Sequence, residues 1–180
     1  MSGRRDLNYT VSVSQPDVCL REPFLRMLDD YDRLDTENGA FYAAARTDFV
    51  RYVGGLIDEE QGVNLPEGHV PCSHRWLTRD GEIVAVVRVR HHADTPFVRE
   101  EVGHIGYDVP PSHRGNRYAI AALQVGLRRA IEIGLNHVLL FADSANPASW
   151  RTIETCGGVL ENERFSTVYQ CTVRRYRITL

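Results

Sequence analysis

The chain has 180 residues, 43% of them hydrophobic and 25% charged, with a net charge of -3 at pH 7. That size and balance suit one globular domain over residues 1–180, with 1–7 expected to be disordered. The slight acidity leaves no basic footprint for nucleic acid, apolar runs such as Ile83 to Val87 are too short for a bilayer, and Met1 to Asp6 is not followed by a secretory apolar core. No nucleic-acid or membrane partner is expected, and the expected location is cytoplasmic. Cys19, Cys72, Cys156 and Cys171 are scattered without a C-x-x-C pair or histidines at ligand spacing, so they read as reduced thiols, mostly buried, and no metal site is expected. All 21 basic residues are arginine, so the chain has no lysine side chain of its own to modify.

Tyr9 to Val13 alternates as a first strand ending near Pro16. Phe24, Leu25, Leu28, Tyr31 and Leu34 keep helical spacing, and a second helix follows from Phe41 through Leu56. A loop over Asn64 to Pro71 leads to a hairpin, Cys72 to Thr78 and Glu82 to Arg90, turned at Asp80-Gly81. Gly103 to Val109 continues the meander, a helix runs from Asn116 to Gly134, and the apolar run His137 to Ala142 is a buried strand. A helix from Pro147 to Cys156 and strands at Val159 to Asn162 and Thr167 to Ile178 complete the chain.

The segment HIGYDVPPSHRGNRYA, His104 to Ala119, carries the clearest chemistry: a strand, a proline-stiffened turn and a helix start. Arg114, Gly115 and Asn116 stand where a helix leaves its first N–H groups unpaired, and those donors with the positive end of the dipole favour a phosphate. The spacing Val-x-Pro-x-x-Arg-Gly, then an aromatic and a small residue, resembles the phosphate-binding motif of the GNAT superfamily of acyl-CoA-dependent N-acetyltransferases. HRWLTRDGEIVAVVRVRHH, DSANPASWRTIETCGGVLENE and the final RYRI extend the resemblance over essentially the whole chain.

The resemblance implies an α/β GNAT fold, a mixed, strongly twisted central sheet of about seven strands with helices on both faces. It implies acetyl-CoA as acyl donor and a small-molecule or peptide amine as acceptor, joined by direct attack in a ternary complex. By motif position, Tyr107, Asp108 and Val109 lie on the strand whose free edge takes the pantetheine arm. The pyrophosphate is implied to rest on Arg114, Gly115, Asn116, Arg117, Tyr118 and Ala119, with Asn146 and Ser149 at the next helix. A homodimer through the C-terminal strands follows by analogy with the fold alone.

Three positions depart from the family pattern: Arg117 replaces a glycine, Ile153 replaces a tyrosine that protonates the thiolate, and Gly103 replaces a glutamate base. The Tyr107 amide is then the expected oxyanion donor, and Glu101 or His104 the expected proton acceptor, with His91 and His92 in reserve. Cys156, with no activating base in view, is expected to be a bystander. The acidic residues Asp29, Asp30, Asp32 and Asp35, and Asp58-Glu59-Glu60, read either as an attractor for a cationic amine or as solvated helix faces. Tyr169 and Tyr176 read as lining the same cleft or the core. The missing tyrosine and glutamate leave a second reading, a non-catalytic acyl-CoA sensor.

Overall fold

The computed structural model describes residues 11–180. The expected disorder at 1–7, and Tyr9 and Thr10 of the first strand, lie outside that range. Strand β1 (Ser12–Ser14) is followed by α1 (Arg21–Leu34), α2 (Thr36–Gly39), α3 (Ala44–Thr47) and α4 (Phe49–Gln61). The periodicity from Phe41 to Leu56 predicts one helix, but Asp48 adopts an extended conformation and caps α4, its carboxylate accepting from Arg51 N at 2.9 Å. Next come β2 (Cys72–Arg79), β3 (Glu82–Arg90), β4 (Ile105–Asp108), α5 (Tyr118–Glu132), β5 (His137–Asp143), α6 (Pro147–Thr155), β6 (Val159–Ser166) and β7 (Cys171–Thr179). The last hairpin differs from the expected boundaries. Its turn falls between Ser166 and Cys171, where Gln170 has φ +53 and Tyr169 N donates to Ser166 Oγ at 3.0 Å.

The strands form two antiparallel sheets, β1-β2-β3-β4 and β5-β7-β6. Helix α5 covers one face of the first, where Leu77, Val87, Val89 and Ile105 share a core with Ala122 and Leu123 and with Val138, Leu140 and Tyr176 of the second. Tyr176 is therefore a core residue, its hydroxyl donating to Glu154 at 2.9 Å. The other face of the first sheet carries the helices α1 to α4 through Phe24, Leu28, Tyr31, Phe49 and Trp76, with the Phe24 and Trp76 rings 4.7 Å apart. Helices thus lie on both faces, as the α/β pattern implies. Of the cysteines only Cys72 is buried, and Cys19 is exposed, which corrects the expectation of mostly buried thiols.

Among the described residues, one backbone junction links the two sheets. Gly103 pairs with Leu140, and His104 N donates to Leu139 O at 2.7 Å. Gly103 has φ +66, and a Cβ there would lie 2.4 Å from Leu139 O, so no side chain fits without moving β5. A glutamate side chain therefore has no room at this position. Gly103→Ala is expected to lower unfolding free energy by roughly 2–4 kcal/mol, through backbone strain and overpacking together. Urea denaturation measures it, and a loss below about 0.5 kcal/mol is inconsistent with so close an approach.

Candidate functional site

Beyond the junction β4 and β5 part. Arg90 N donates to His104 O at 2.7 Å, and in the antiparallel register Arg88 faces Gly106 while Val86 faces Asp108. By alternation the backbone groups of Gly106 and Asp108 turn to β3, while those of Ile105, Tyr107 and Val109 turn away, into the gap. The gap is bridged farther along by a side chain: Tyr107 OH donates to Ser149 O at 3.1 Å and lies 3.3 Å from Ser149 Oγ, in the first turn of α6. Burial pushes the Tyr107 phenol up to about 12. Asn146 caps that helix, its Oδ1 accepting from Ser149 N at 3.1 Å, with Pro147 in the first turn.

The loop after β4 leads directly to the start of α5. Pro111–His113 forms a short turn, Arg114 is extended, Gly115 has φ +81, and Arg117 occupies the cap position at φ +61. No side chain caps α5, and the first backbone bond beyond the cap runs from Ala121 N to Arg117 O at 3.2 Å. Among the described residues, the amides of Gly115, Asn116, Arg117 and Ala119 therefore have no backbone acceptor, and they stand at the positive end of a 15-residue helix. Asn116 Nδ2 braces the turn by donating to His113 O at 3.1 Å. Helix α1 holds the loop from below: Asp30 accepts from Ser112 N at 2.8 Å and from Ser112 Oγ, and Asp35 accepts from Arg114 Nη2. Arg114 Nε also donates to Val109 O at 3.2 Å. Arg117, exposed at this cap position, has no ion pair among the described residues.

An open strand edge running into a bare helix N-terminus is the layout that the family motif implies, and residues 41–157 match the acetyltransferase (GNAT) family. The chain belongs to that family. No curated protein matches in sequence. Among solved structures, a RimL ribosomal L7/L12 alpha-N-protein acetyltransferase in complex with coenzyme A superposes with a TM-score of 0.72 at 14% identity, over 97% of this chain and 96% of that one. The microcin C7 self-immunity acetyltransferase MccE, in complex with acetyl-CoA and AMP, gives 0.69 at 15% identity, over 96% and 94%. An acetyltransferase from Salmonella typhimurium that modifies the N-terminal serine of L7/L12 gives 0.64 at 15%, over 96% of each chain. At these identities the likeness establishes the GNAT fold.

Within this GNAT fold the sequence-predicted catalytic side chains have other partners. Glu101 accepts from Ser166 Oγ at 2.6 Å and Arg164 Nη2 at 3.0 Å. Burial opposes its charge, but these two bonds hold its carboxyl below the usual range. His104, 4% exposed, accepts the Leu139 amide on Nδ1 at 2.9 Å, which places its proton on Nε2 and leaves no lone pair for an incoming one. Both residues tie β4 to its neighbours. Asp108, grouped with the cofactor residues on sequence, faces the opposite side of the sheet: its carboxylate accepts from Tyr42 OH at 2.5 Å and Arg88 Nη2 at 2.8 Å. Burial keeps the Cys156 thiol protonated, in line with a bystander.

The acidic clusters turn out to be internal ties. Asp29 and Asp32 hold Arg46, and Glu60 accepts from Ser73, Arg75 and Arg129 at 2.8, 2.9 and 3.0 Å. His91 joins Ser73 at 2.8 Å, and His92 pairs with Asp94. Sequence reading missed Tyr42, Arg88, Arg90 and the Glu59–His74 pair, 2.6 Å apart, all on the α1 to α4 face of the first sheet. The alternation in RVR at the end of β3 was the available signal, since it places Arg88 and Arg90 on one face.

Burial, then the charge of His137, holds the His104 imidazole down at about 4 against an ordinary 6.5. A histidine depressed in this way contributes stability that is fully present above pH 6.5 and is lost as pH falls through about 4. The melting temperatures of wild type and His104→Gln should therefore differ most at pH 7 and converge toward pH 4. Parallel curves would mean that the imidazole titrates normally in the fold.

Proposed function

We propose that this chain is an N-acetyltransferase that moves acetyl from acetyl-CoA to a primary amine by direct attack within a ternary complex. The observation that carries the reading is the continuity of an unpaired β4 edge with an uncapped, arginine-flanked helix start a few residues later. The backbone of Tyr107 and Val109 offers the hydrogen bonds that an amide-bearing pantetheine arm needs. The amides of Gly115 through Ala119 then cradle the pyrophosphate, with Asn146 and Ser149 bounding the gap at α6. Arg114 must leave Val109 O for the arm to pair there, and a pyrophosphate competes with Asp35 for its guanidinium.

Chemically, the amine nitrogen forms a bond to the thioester carbon, the C–S bond breaks, and one proton leaves nitrogen while another reaches sulfur. The Tyr107 N–H donates to the developing oxyanion. In this reading the Tyr107–Ser149 hydroxyl pair, 3.3 Å apart, relays a proton to the leaving thiolate, a role left open by Ile153, which is buried in the core. Glu101 and His104 position β4, and the amine gives its proton to water in the gap. The second reading, a non-catalytic acyl-CoA sensor, is favoured by that same apolar Ile153. Released thiol, measured with acetyl-CoA and an amine panel, separates the two. Amine-dependent release supports the transferase, and tight binding of acetyl-CoA without release supports the sensor.

Two substitutions test the cradle. Gly115→Glu, against Gly115→Ala as the control for backbone strain, should weaken acetyl-CoA binding by more than roughly tenfold in calorimetry, because it sets a carboxylate beside the pyrophosphate. Equal affinity of both variants places the cofactor elsewhere. Arg117→Gly should relieve the left-handed cap and raise stability by up to about 1 kcal/mol. It should also weaken acetyl-CoA binding by roughly five- to thirtyfold through loss of a charge-assisted contact. Tighter binding in this variant would show that Arg117 obstructs the loop.

A further inference from the structure

On the face of the first sheet turned to α1 to α4, one end is aromatic, built on Trp76, and the other is polar. There Cys72 and His74 of β2 lie opposite Arg90 and Arg88 of β3, and Gly106 of β4 lies opposite Arg88. A Cβ on Gly106 would sit 3.2 Å from Arg88 Nη2, so the absence of a side chain there lets that guanidinium lie along β4. Glu59 and Tyr52 approach from α4, and Tyr169 from the β6–β7 turn.

Nearly every charge in this cluster has a partner. Arg88 is neutralised by Asp108 at 2.8 Å and donates to Tyr42 OH at 3.0 Å. Glu59 and His74 hold one another at 2.6 Å. Arg90 is the exception: half-buried, it donates to Gly103 O at 3.2 Å and has no carboxylate partner among the described residues. Burial works against its charge, and the groups acting on it are Cys72, Arg88, Tyr169 and Glu59. Burial keeps Cys72 and Tyr169 protonated and neutral, Arg88 has the same sign, and Glu59 is committed to His74. A guanidinium withdrawn from water without a counter-ion is costly, and an anion brought by a ligand removes the cost.

Its position says which ligand. Arg90 contacts Gly103, where β4 meets β5 and the gap begins, and it lies on the face opposite α5. An amine that reaches the thioester in the gap from the α1 to α4 side passes this guanidinium. We propose that the acceptor amine carries a carboxylate and that Arg90 binds it. The inference rests on the acetyltransferase reading and names the acceptor class. A planar fork bearing one positive charge matches a carboxylate in shape and charge. Glu59, Cys72 and His74 also converge within 4.8 Å, a set of metal-ligand types, but the arginines beside them disfavour a cation, and Glu59 and His74 already satisfy each other.

The test pairs acceptors that differ only by the carboxylate, such as β-alanine with ethylamine, phenylalanine with phenethylamine and lysine with cadaverine. With acetyl-CoA, wild type should favour the carboxylate-bearing member by roughly tenfold or more in kcat/KM, and Arg90→Gln should bring the ratio near one with acetyl-CoA affinity unchanged. A second measurement does not depend on finding the acceptor. At saturating acetyl-CoA and fixed ionic strength, exchanging chloride for acetate should raise the melting temperature of wild type and not of Arg90→Gln. Arg90→Lys, which keeps the charge without the fork, should recover only part of the response. Equal turnover of both members of each pair, no carboxylate stabilisation of wild type, or the same stabilisation in Arg90→Gln overturns the proposal. Failure of acetyl-CoA to bind at all would instead defeat the acetyltransferase reading beneath it.

Discussion

Gly103 lies so close to β5 that a side-chain carbon there would meet Leu139 O at 2.4 Å, and His104 donates its amide to Leu139 O and accepts the Leu139 amide on Nδ1. Among the described residues, these backbone contacts join two sheets that are otherwise separately paired, and they do so at the start of β4. From that fixed point the strands diverge, leaving Ile105 and Tyr107 without a backbone partner on that edge among the described residues and Val109 O held by Arg114 Nε. Unpaired backbone at a partly buried position is costly unless something completes it. The candidate site is therefore a consequence of the junction: a strand edge that the fold leaves open, leading directly into a helix whose first amides are also open.

Helix α1 couples the two sides of this site. Its inner face packs Phe24, Leu28 and Tyr31 against the sheet, while Asp30 and Asp35 grip Ser112 and Arg114 of the loop above. Burial raises the cost of charge on both carboxylates, yet Ser112 lowers the Asp30 pKa and Arg114 lowers that of Asp35. Tyr42, Arg88 and Asp108 form a further neutral tie between the helical layer and β4. The loop before α5 and the polar end of this sheet face thus share one support, and a shift of α1 reaches both. A groove of about 660 Å³ along the outer side of α4, lined by Tyr52 and Glu59 among others, adjoins the same polar end.

The turn before α5 was readable because its signals are local: proline, arginine and glycine at fixed spacing determine a turn and a helix start whatever surrounds them. The hairpin at Asp80-Gly81 was readable for the same reason, with φ of +52 and +78 at its two turn residues. What escaped was tertiary. Glu101 and His104 looked like titratable groups on a strand near the thioester. Only the arrival of Ser166, Arg164 and Leu139 from distant segments shows that their acceptor atoms are taken. Asp108 sits between two gap-facing residues in sequence, and strand alternation turns it to the other face. The break at Asp48 was hidden because the apolar period continues across it, although an aspartate ahead of a helix is a recognisable cap.

The central claim is that the open edge of β4 and the start of α5 form one continuous binding surface for an acyl-CoA. Residue-resolved amide hydrogen exchange with and without saturating acetyl-CoA tests it most directly. The account predicts new protection at the Tyr107 and Val109 amides together with those of Gly115 through Ala119, and little change on β6 and β7. Binding that leaves these amides exchanging as in the free protein, or protects only the groove along α4, would contradict it.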